Sequence, residues 1–330
     1  MSPSKCLLIV LDGLGDRQYP ELGGKTPLQA AYTPNLDHLA DLGGNGLFHA
    51  GSLGEPFPSE SAHFALFGYP QSMFPGRGAL EALGAGIDLS SKQVVLLAHL
   101  VSAENRSGSL YVVQDKPRQV QEAELQSMFS LVGRFEHQGV DIRLHQLKDL
   151  FGVLILEGDV SAWLTDSNPM RDQAWATDVL PLQEAQQDDQ AWATARAVQA
   201  YLRFAFHSLD QSELNTRRRQ RGLEPVNALV TQRPGRICPV PDFAARTGLK
   251  GTSIASGAMF QGLARCIGLQ ARDIAPEGNP QADLSSRLDL AASLLSECDF
   301  IHVHTKAPDQ AGHSKNCQVK LEVIEGLDRA

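Results

Sequence analysis

The sequence contains a few polar residues at positions where side chains could perform chemistry. Asp12 directly follows the apolar run 5–11, and a carboxylate there is costly unless it reaches solvent or binds a cation. Ser59 comes just before the apolar segment 62–66. Its hydroxyl suits a helix cap, and equally a nucleophile whose developing negative charge a helix end and a metal ion would stabilise.

Asp309 and His313 are a further candidate pair, because their i, i+4 spacing puts both on one face of a helix. A carboxylate and an imidazole are good ligands for zinc- or manganese-type ions. Arg77 lies between two glycines, where the backbone can approach an anion closely. A solvated loop arginine and, for Asp12, an ordinary Asp-Gly turn are the plainer alternatives. Together these residues supply two metal-ligand positions, a hydroxyl and an arginine.

The elements that must position these residues alternate between strands and helices near both ends of the chain. The run 5–11 is typical of a buried parallel strand, Thr33 opens a helix that ends at Gly43, and 300–304 predicts a second strand. This alternation favours an α/β fold with a parallel sheet. Ligands bind beyond the carboxyl ends of such strands, and Asp12 and Asp309 follow two of them.

The pattern changes from about residue 90. Strand-like runs at 94–100, 110–113 and 153–156 alternate with glutamine-rich amphipathic stretches, and 183–206 has the apolar spacing of a helix. The basic run that follows, Arg217–Arg221, predicts a solvated helix face. A buried-strand pattern then returns near 226–230.

Length and composition exclude several classes of protein. At roughly 150 residues per domain, 330 residues suggest about two domains. Lys+Arg is 29 and Asp+Glu is 38, and the net charge of −9 argues against binding to nucleic acid or anionic membranes. Five cysteines without a CxxC pair exclude a disulfide scaffold and a zinc ribbon. The apolar run 6–11 is too short for a signal sequence or a membrane span, so we predict a cytoplasmic protein.

A dinucleotide site is not expected at Gly13-x-Gly15. The third glycine of that motif is missing, since position 18 is glutamine, and Asp16 would repel a pyrophosphate.

The sequence resembles the archaeal-type, cofactor-independent (2,3-bisphosphoglycerate-independent) phosphoglycerate mutases of the alkaline phosphatase superfamily. The most specific stretch is 8–42, which contains LDGLGDR and KTPLQAAYTPNLDHLADL. The other matching stretches, in the family's order, are 58–69 (PSESAHFALFGY), 76–87 (GRGALEALGAGI), 215–236, 249–268 and 299–329. The resemblance therefore spans nearly the whole chain.

The resemblance implies an alkaline phosphatase-like three-layer α/β sandwich with a mostly parallel sheet, into which a second α/β domain is inserted. It puts the metal-binding domain at 1–88 and 237–330, and the inserted substrate-side domain at 89–236. In the family the metal-binding domain continues past the position of Arg329 with an Asp-His pair and a further histidine that complete the metal sites. This chain is therefore expected to be truncated at its C-terminus.

The same resemblance assigns roles to residues. It implies two divalent metal ions (Mn, Zn, Co or Mg) and no organic cofactor. Asp12 and Ser59 would bind one ion, with Ser59 also the nucleophile, and Asp309 and His313 would bind the other. Four cations would surround the substrate: Arg77, Arg218, Arg233 and Lys306. The candidates to replace missing metal ligands from within the chain are His63, His302 and His304.

The activity implied is a metal-dependent phosphomutase that interconverts 3-phosphoglycerate and 2-phosphoglycerate through a phosphoserine intermediate. The expected partner is a small phosphorylated substrate, and binding to nucleic acid or to a membrane is not expected. Whether the chain forms a homo-oligomer is left open. The inserted region departs from the family, because Ala98–Ser102 replaces Arg-Asn-Phe-Ala-Thr and Gln114–Gln119 replaces Asp-Arg-Arg-Ala-Gly-Arg. The alternatives are a related phosphotransferase or phosphatase on another small substrate, such as a homoserine kinase, and an inactive truncated paralogue.

Overall fold

The computed structural model describes residues 5–55 and 57–330. The glycine-, proline- and serine-rich stretch 51–59 predicts a loop, and Pro56 within it lies outside the described residues. The chain forms two compact units. Unit 1 comprises the residues up to Gln71 together with Val240–Ala330, and unit 2 is Ser72–Pro239. The fold is mixed α/β, with a parallel sheet in unit 1 and antiparallel strands in unit 2.

The strands in chain order are β1 (Cys6–Leu11), β2 (Val94–Arg106), β3 (Ser109–Gln114), β4 (Arg134–His137), β5 (Val140–Lys148), β6 (Phe151–Glu157), β7 (Ala174–Trp175), β8 (Ala228–Gly235), β9 (Gly251–Ala255), β10 (Gln270–Asp273) and β11 (Phe300–Thr305). The α-helices are α1 (Pro27–Ala30), α2 (Pro34–Leu42), α3 (Ser59–Leu66), α4 (Arg77–Gly84), α5 (Glu122–Leu131), α6 (Asp189–Asp210), α7 (Glu213–Gln220), α8 (Phe243–Thr247), α9 (Ala258–Cys266), α10 (Pro280–Leu294), α11 (Ala307–His313) and α12 (Cys317–Asp328).

The sheet of unit 1 has four parallel strands in the order β1-β11-β9-β10. Strands β9 and β11 are buried along their whole length, although their sequences, Gly-Thr-Ser-Ile-Ala and Phe-Ile-His-Val-His-Thr, include polar residues. The core between the sheet and helix α10 contains Ile254, Ile301, Val303 and Leu284. The β1–β11 register pairs Leu11 with Thr305, so both strands end at the same edge of the sheet.

Unit 2 is built around the 13-residue strand β2. Its first part pairs with β6 on one side and β8 on the other, and its end pairs with β3, all antiparallel. The main core packs β2, β5 and β6 against the long helix α6. Within that core the Tyr201 hydroxyl donates to the Val132 carbonyl at 2.9 Å.

Helix α4 belongs to unit 2, whereas the predicted boundary near 88 put it in the first domain. Gly76 and Gly78 at the start of α4 bring it against the backbone of Gly235 and Val95. A Cβ on Gly78 would stand 2.3 Å from the Val95 carbonyl oxygen, so only glycine permits this approach. The second division falls at Pro239, close to the predicted 236. As domain limits, 88 and 236 remain predictions.

Most elements predicted from sequence are present. The predicted strand at 5–11 is β1, the helix opened by Thr33 is α2, and the segment carrying Asp309 and His313 is helical. The expectation that this first strand is buried is wrong, because β1 lies at the sheet edge and none of its residues is buried. Strands β4, β5 and β10 carry polar, alternating sequences and were not predicted. None of the helices in the described part of the chain combines the length and apolar character that a membrane span needs.

Candidate active site

The backbones of Asp12 and Asp309 meet at the carboxyl ends of β1 and β11. The amide of Asp12 donates to the Thr305 carbonyl at 3.0 Å, and the amide of Asp309 donates to the Asp12 carbonyl at 3.0 Å. Gly13 makes this contact possible, because it has a φ of +77° and a Cβ there would lie 2.5 Å from the Asp309 Cα. Two residues predicted to bind different ions are thus direct neighbours.

Asp309 and His313 share one face of α11, as their spacing predicts. The Asp309 Oδ2 atom lies 3.7 Å from His313 Nε2 and 3.6 Å from Lys306 Nζ. The His313 side chain is 82% exposed, so its ring faces solvent at this edge of unit 1. A carboxylate, an imidazole and an ammonium group therefore stand together.

Ser59 is the first residue of α3. The N-cap of this helix is Pro58, so the Ser59 hydroxyl is not the helix cap that the sequence left open. One turn later the His63 Nδ1–H donates to the Ser59 carbonyl at 2.7 Å. His63 therefore fixes the backbone of the predicted nucleophile, and its Nε2 atom carries the free lone pair of a neutral ring.

Three histidines are buried beside Asp12. His63, His302 and His304 are each at most 4% exposed, and the ring centres of His63 and His304 are 4.9 Å apart. The rings of His63 and His304 also pack against Phe260. The Nε2 atoms of all three rings and Oδ2 of Asp12 have no hydrogen-bond partner within 5–55 and 57–330. A group of buried polar atoms without partners requires an explanation.

The protonation states follow from burial. Desolvation is the main effect that lowers the pKa of His63 to about 4, and it also lowers the pKa values of His302 and His304. Burial alone would raise the pKa of Asp12, but the His304 ring and the nearby Lys306 lower it overall. At neutral pH the cluster therefore consists of neutral imidazoles and one carboxylate.

This donor chemistry fits a divalent metal ion in part. The Asp12 Oδ2 and His304 Nε2 atoms are 3.5 Å apart, and neither has another partner within the described ranges. A carboxylate oxygen and a neutral imidazole are suitable ligands. However, no group of three or more His, Cys, Asp or Glu side chains in 5–55 and 57–330 is arranged to hold an ion. The structure thus provides two pairs of donors, Asp12 with His304 and Asp309 with His313.

Two of the predicted substrate-binding arginines have local partners in unit 2. Arg77 bonds Glu81 on the next turn of α4 at 3.2 Å. Arg233 has a φ of +52°, and its amide donates to an Asp166 carboxylate oxygen at 2.6 Å. Burial is the main effect that raises the pKa of Asp166. Both arginines are partly exposed.

Arg218 does not match its predicted role. Its side chain is fully buried, whereas Arg217 and Arg219 beside it are exposed as predicted. The guanidinium donates from Nε to the Glu224 carbonyl (2.9 Å), from Nη1 to the Gln119 carbonyl (3.0 Å) and Glu124 Oε2 (2.9 Å), and from Nη2 to the Arg118 carbonyl (3.1 Å). These contacts occupy the group and shield it from solvent, so it holds unit 2 together and does not reach a substrate.

The sequence of strand β11 carries a signal for two of the three buried histidines. It reads Phe-Ile-His-Val-His-Thr, and two histidines are unusual in a fully buried strand. Because buried polar side chains require partners, their alternation on one strand is itself unusual.

Comparisons with known proteins agree with the likeness seen in the sequence. The family model described as 2,3-bisphosphoglycerate-independent phosphoglycerate mutase matches residues 40–215. The curated enzyme of that name from Methanopyrus kandleri is 35% identical over 98% of this chain and 77% of its own length. The enzyme of that name from Thermoplasma acidophilum is 33% identical over 98% of this chain and 78% of its own length.

Two solved structures are also similar. The cofactor-independent phosphoglycerate mutase of Thermoplasma acidophilum has a TM-score of 0.64 and 29% identity, covering 99% of this chain and 82% of that one. A Pyrococcus horikoshii protein has a TM-score of 0.76 and 28% identity, covering 100% of this chain and 77% of that one.

These findings define the class of protein: an isomerase of the intramolecular phosphotransferase type. More particularly, the chain belongs to the 2,3-bisphosphoglycerate-independent phosphoglycerate mutase family.

Proposed function

We propose that this chain interconverts 3-phosphoglycerate and 2-phosphoglycerate through a phosphoserine on Ser59, with divalent metal ions at the carboxyl ends of β1 and β11. The proposal includes an alkaline phosphatase-like three-layer sandwich for unit 1. The observation that carries it is the backbone hydrogen bond between Asp309 and Asp12, which juxtaposes two donor pairs. The chain's relatives, named as phosphoglycerate mutases, supply the substrate.

The reaction needs two transfers. The Ser59 oxygen forms a bond to phosphorus and loses its proton, while the bond from phosphorus to one glycerate hydroxyl breaks and that oxygen takes up a proton. The second transfer reverses these changes on the other hydroxyl. In this proposal Lys306 and the two partly exposed arginines, Arg77 and Arg233, contact the anionic groups of the substrate.

Asp12 and Ser59 would hold one ion and Asp309 and His313 the other, and His304 is a further donor beside Asp12. Bound divalent ions stabilise the charge that develops on phosphoryl oxygens and lower the pKa of a bound hydroxyl. His63 would keep Ser59 in place through its bond to the Ser59 carbonyl.

The test is a mutase assay coupled to enolase, run with Mn²⁺, Co²⁺, Zn²⁺ or Mg²⁺ added in turn. We expect turnover that chelation abolishes, and a radioactive phosphoserine after incubation with labelled 3-phosphoglycerate. Ser59→Ala should abolish the label and reduce turnover at least 10³-fold, as for loss of a nucleophile. The exposed Ser52 offers a matched control, since Ser52→Ala should change neither. Full turnover in Ser59→Ala would refute the phosphoserine step.

A second candidate is a phosphotransferase or phosphatase acting on another small phosphorylated compound. Two features of unit 2 favour this second function. Arg218 is buried in the core, and Ala98 occupies the position of the first arginine in the family's Arg-Asn-Phe-Ala-Thr stretch. Profiling a panel of phosphate esters distinguishes the candidates. Release of phosphate from another ester, at a kcat/KM above that for 3-phosphoglycerate, would favour this second function.

A further inference from the structure

Strand β1 forms a sheet edge that lacks the usual protection of an edge. It is the outermost strand in the order β1-β11-β9-β10, and its six residues include no charged residue, proline or glycine. The opposite edge strand, β10, is shorter and carries Arg272 and Asp273. Native proteins keep exposed sheet edges from pairing by charges, proline, bulges or short strands. Of the two edges of this sheet, β1 is therefore the one suited to pairing with a further strand.

The unpaired backbone groups of β1 can be assigned residue by residue. The amide of Cys6 donates to the Asp299 carbonyl at 2.8 Å, so the even-numbered residues of β1 bond towards β11. Alternate residues of a strand direct their N–H and C=O groups to opposite sides. Leu7, Ile9 and Leu11 therefore direct theirs to the outer side, where no strand within 5–55 and 57–330 pairs with β1.

The side chains of the same three residues are apolar and only partly covered. They lie on one face of β1, because side chains alternate along a strand. Leu11 packs against the apolar cluster that contains Leu327 of α12. Leu7 and Ile9, further from the end of the strand, are 43% and 41% exposed. The edge therefore offers a partner strand both unpaired backbone groups and apolar contacts.

Helix α2 adds exposed apolar surface to the same unit, next to α12. None of its residues is buried. The amides of Asn35 and Leu36 attach it to the Asp328 carboxylate at the end of α12, at 3.0 and 2.8 Å. Its Leu39 and Leu42 are 61% and 72% exposed. A helix that leaves its leucines in solvent has an unpartnered apolar face.

The exposed apolar surface of this part of the chain is of the size that a dimer needs. Of the sixteen exposed large apolar side chains within 5–55 and 57–330, nine lie in 5–55. With roughly 60–120 Å² of apolar surface each, and about three-fifths of it exposed, they offer roughly 350–700 Å². A standard interface buries about 800 Å² on each partner, and in homodimers about 65% of that area is apolar. The area available and the area required are therefore similar.

The charges at the two ends of β1 suit a second strand of the same sequence. Lys5 precedes the strand, where it also pairs with Asp299 at 3.1 Å, and Asp12 follows it. Two copies related by a two-fold axis pair their edges antiparallel, so the lysine end of each strand lies at the aspartate end of the other. A parallel arrangement would put the two lysines side by side, which is unfavourable.

We propose that a second copy of this chain binds at this edge, with the β1 strands of the two copies paired antiparallel and α2 contributing apolar contacts beside them. The two four-stranded sheets then form one continuous sheet, and the outward backbone groups of Leu7, Ile9 and Leu11 gain partners. This dimer goes beyond the proposed function, because it requires no phosphoryl transfer.

Two measurements on the full chain test the dimer and its location. Sedimentation equilibrium gives the mass over a wide range of concentration, and we expect a dimer that dissociates on dilution. Residue-resolved hydrogen exchange locates the contact. The amides of Leu7, Ile9 and Leu11 should exchange slowly in the dimer and rapidly in the monomer. The amides of Leu8 and Val10 bond to β11 and should be slow in both, so they are the internal control.

Variants separate the edge from the rest of the surface. Ile9→Lys puts a lysine without an acidic partner into each half of the interface and should weaken the dimer at least about 100-fold. Leu39→Lys lies on α2, outside the sheet, and should weaken it at least about tenfold without disturbing β1. Leu131 of unit 2, 47% exposed, is the matched control, and Leu131→Lys should leave dimerisation unchanged. Slow exchange of the Val303 amide shows that unit 1 of each variant is folded.

Three results would overturn the proposal. The first is a monomer at every concentration. The second is a dimer in which the outward amides of β1 exchange as fast as in the monomer. The third is a dimer that a folded Ile9→Lys variant leaves intact. A mutase assay on the same preparations is independent of all three, so turnover by a monomer would refute only the dimer, and an inactive dimer only the mutase.

Discussion

Arg218 in unit 2 and His304 in unit 1 are both buried, but the arginine side chain has several hydrogen-bond partners, whereas the Nε2 atom of His304 has none within 5–55 and 57–330. Arg218 makes bonds to three carbonyls and a carboxylate. By contrast, of the six buried side-chain polar atoms without partners in 5–55 and 57–330, four belong to the cluster of Asp12, His63, His302 and His304.

This difference distinguishes two roles of buried polar side chains, one in stability and one in function. A buried polar group whose bonds are complete stabilises one conformation, and removing it is costly. Buried polar atoms without partners lower stability and are retained where they contribute to function. On this criterion the basic run at 217–221 is structural where it is buried, and the histidine cluster is a candidate for the reacting centre that we propose.

The largest expected effect is on Arg218. Arg218→Met would leave Glu124 and three carbonyls without their donor, and we expect a loss of about 3–5 kcal/mol in the free energy of unfolding. The three tryptophans, Trp163, Trp175 and Trp192, all lie in unit 2, so tryptophan fluorescence in a urea titration reports on this unit alone. The exposed neighbour supplies the control: Arg217→Met should change stability by less than about 0.5 kcal/mol. Equal effects of the two would contradict the distinction.

An intermediate effect is expected for a buried ion pair in unit 1. Burial would raise the pKa of Asp283, but its two bonds from Arg287, at 2.8 and 2.9 Å, contribute to an overall lowering. Because the folded-state pKa lies below the unfolded value, this stabilisation is complete above the unfolded pKa and is lost as pH falls through the folded one. Asp283→Asn should therefore cost about 1.5–3 kcal/mol at pH 7 and progressively less in acid.

Hydrogen exchange of β9 and β11 measures that effect within unit 1, followed from pH 7 into the acid range. The exposed carboxylate on the same helix, Asp289, is the matched control, and Asp289→Asn should leave the exchange unchanged at every pH. A penalty for Asp283→Asn that did not diminish in acid would show that the pair is not the cause.

The smallest effect is expected in the histidine cluster. His302 shares a 2.9 Å hydrogen bond with Ser253 through Nδ1, and its Nε2 has no partner. Replacing both, as Ser253→Ala with His302→Phe, removes the bond together with the unpaired nitrogen. We expect stability within about 1 kcal/mol of the parent chain, or above it, whereas Ser253→Ala alone should cost about 1–3 kcal/mol. Hydrogen exchange of β11 measures these changes in stability. If the double variant lost as much free energy of unfolding as Arg218→Met, the contrast between the two units would not hold.

Much of the fold could be predicted because apolar runs and helix caps mark elements in the sequence. Strand β1 is a continuous apolar run, strand β11 is mostly apolar between its histidines, and helix α2 begins and ends at its Thr33 and Gly43 signals. Strand β10 could not be predicted, because its polar sequence Gln-Ala-Arg-Asp lies at a sheet edge, where pairing of the backbone determines the strand. The boundary at α4 depends on the contacts of Gly76 and Gly78 with residues far along the chain.

The site shows the same limit. The i, i+4 spacing predicted that Asp309 and His313 share a helix face, and the structure confirms it. Spacing could not distinguish Arg218 from Arg217, because only the packing of α7 determines which of two adjacent arginines is buried. The two His of β11 were visible in the sequence, yet their lack of partners is a property of the assembled core.

The order in which β1 pairs has a consequence for synthesis in the cell. Strand β1 precedes the other described strands in the chain, and within 5–55 and 57–330 it pairs with β11 alone, at 300–305. At ordinary rates of protein synthesis, about 5–20 residues per second, roughly 15–60 seconds pass between the synthesis of β1 and that of β11. Unit 2, whose strands all come from 94–235, can complete its sheet while unit 1 is still partly unmade. During synthesis β1 is therefore unpaired and accessible to chaperones for longer than any other described strand. Its residues Leu7 and Ile9 are still 43% and 41% exposed in the folded form.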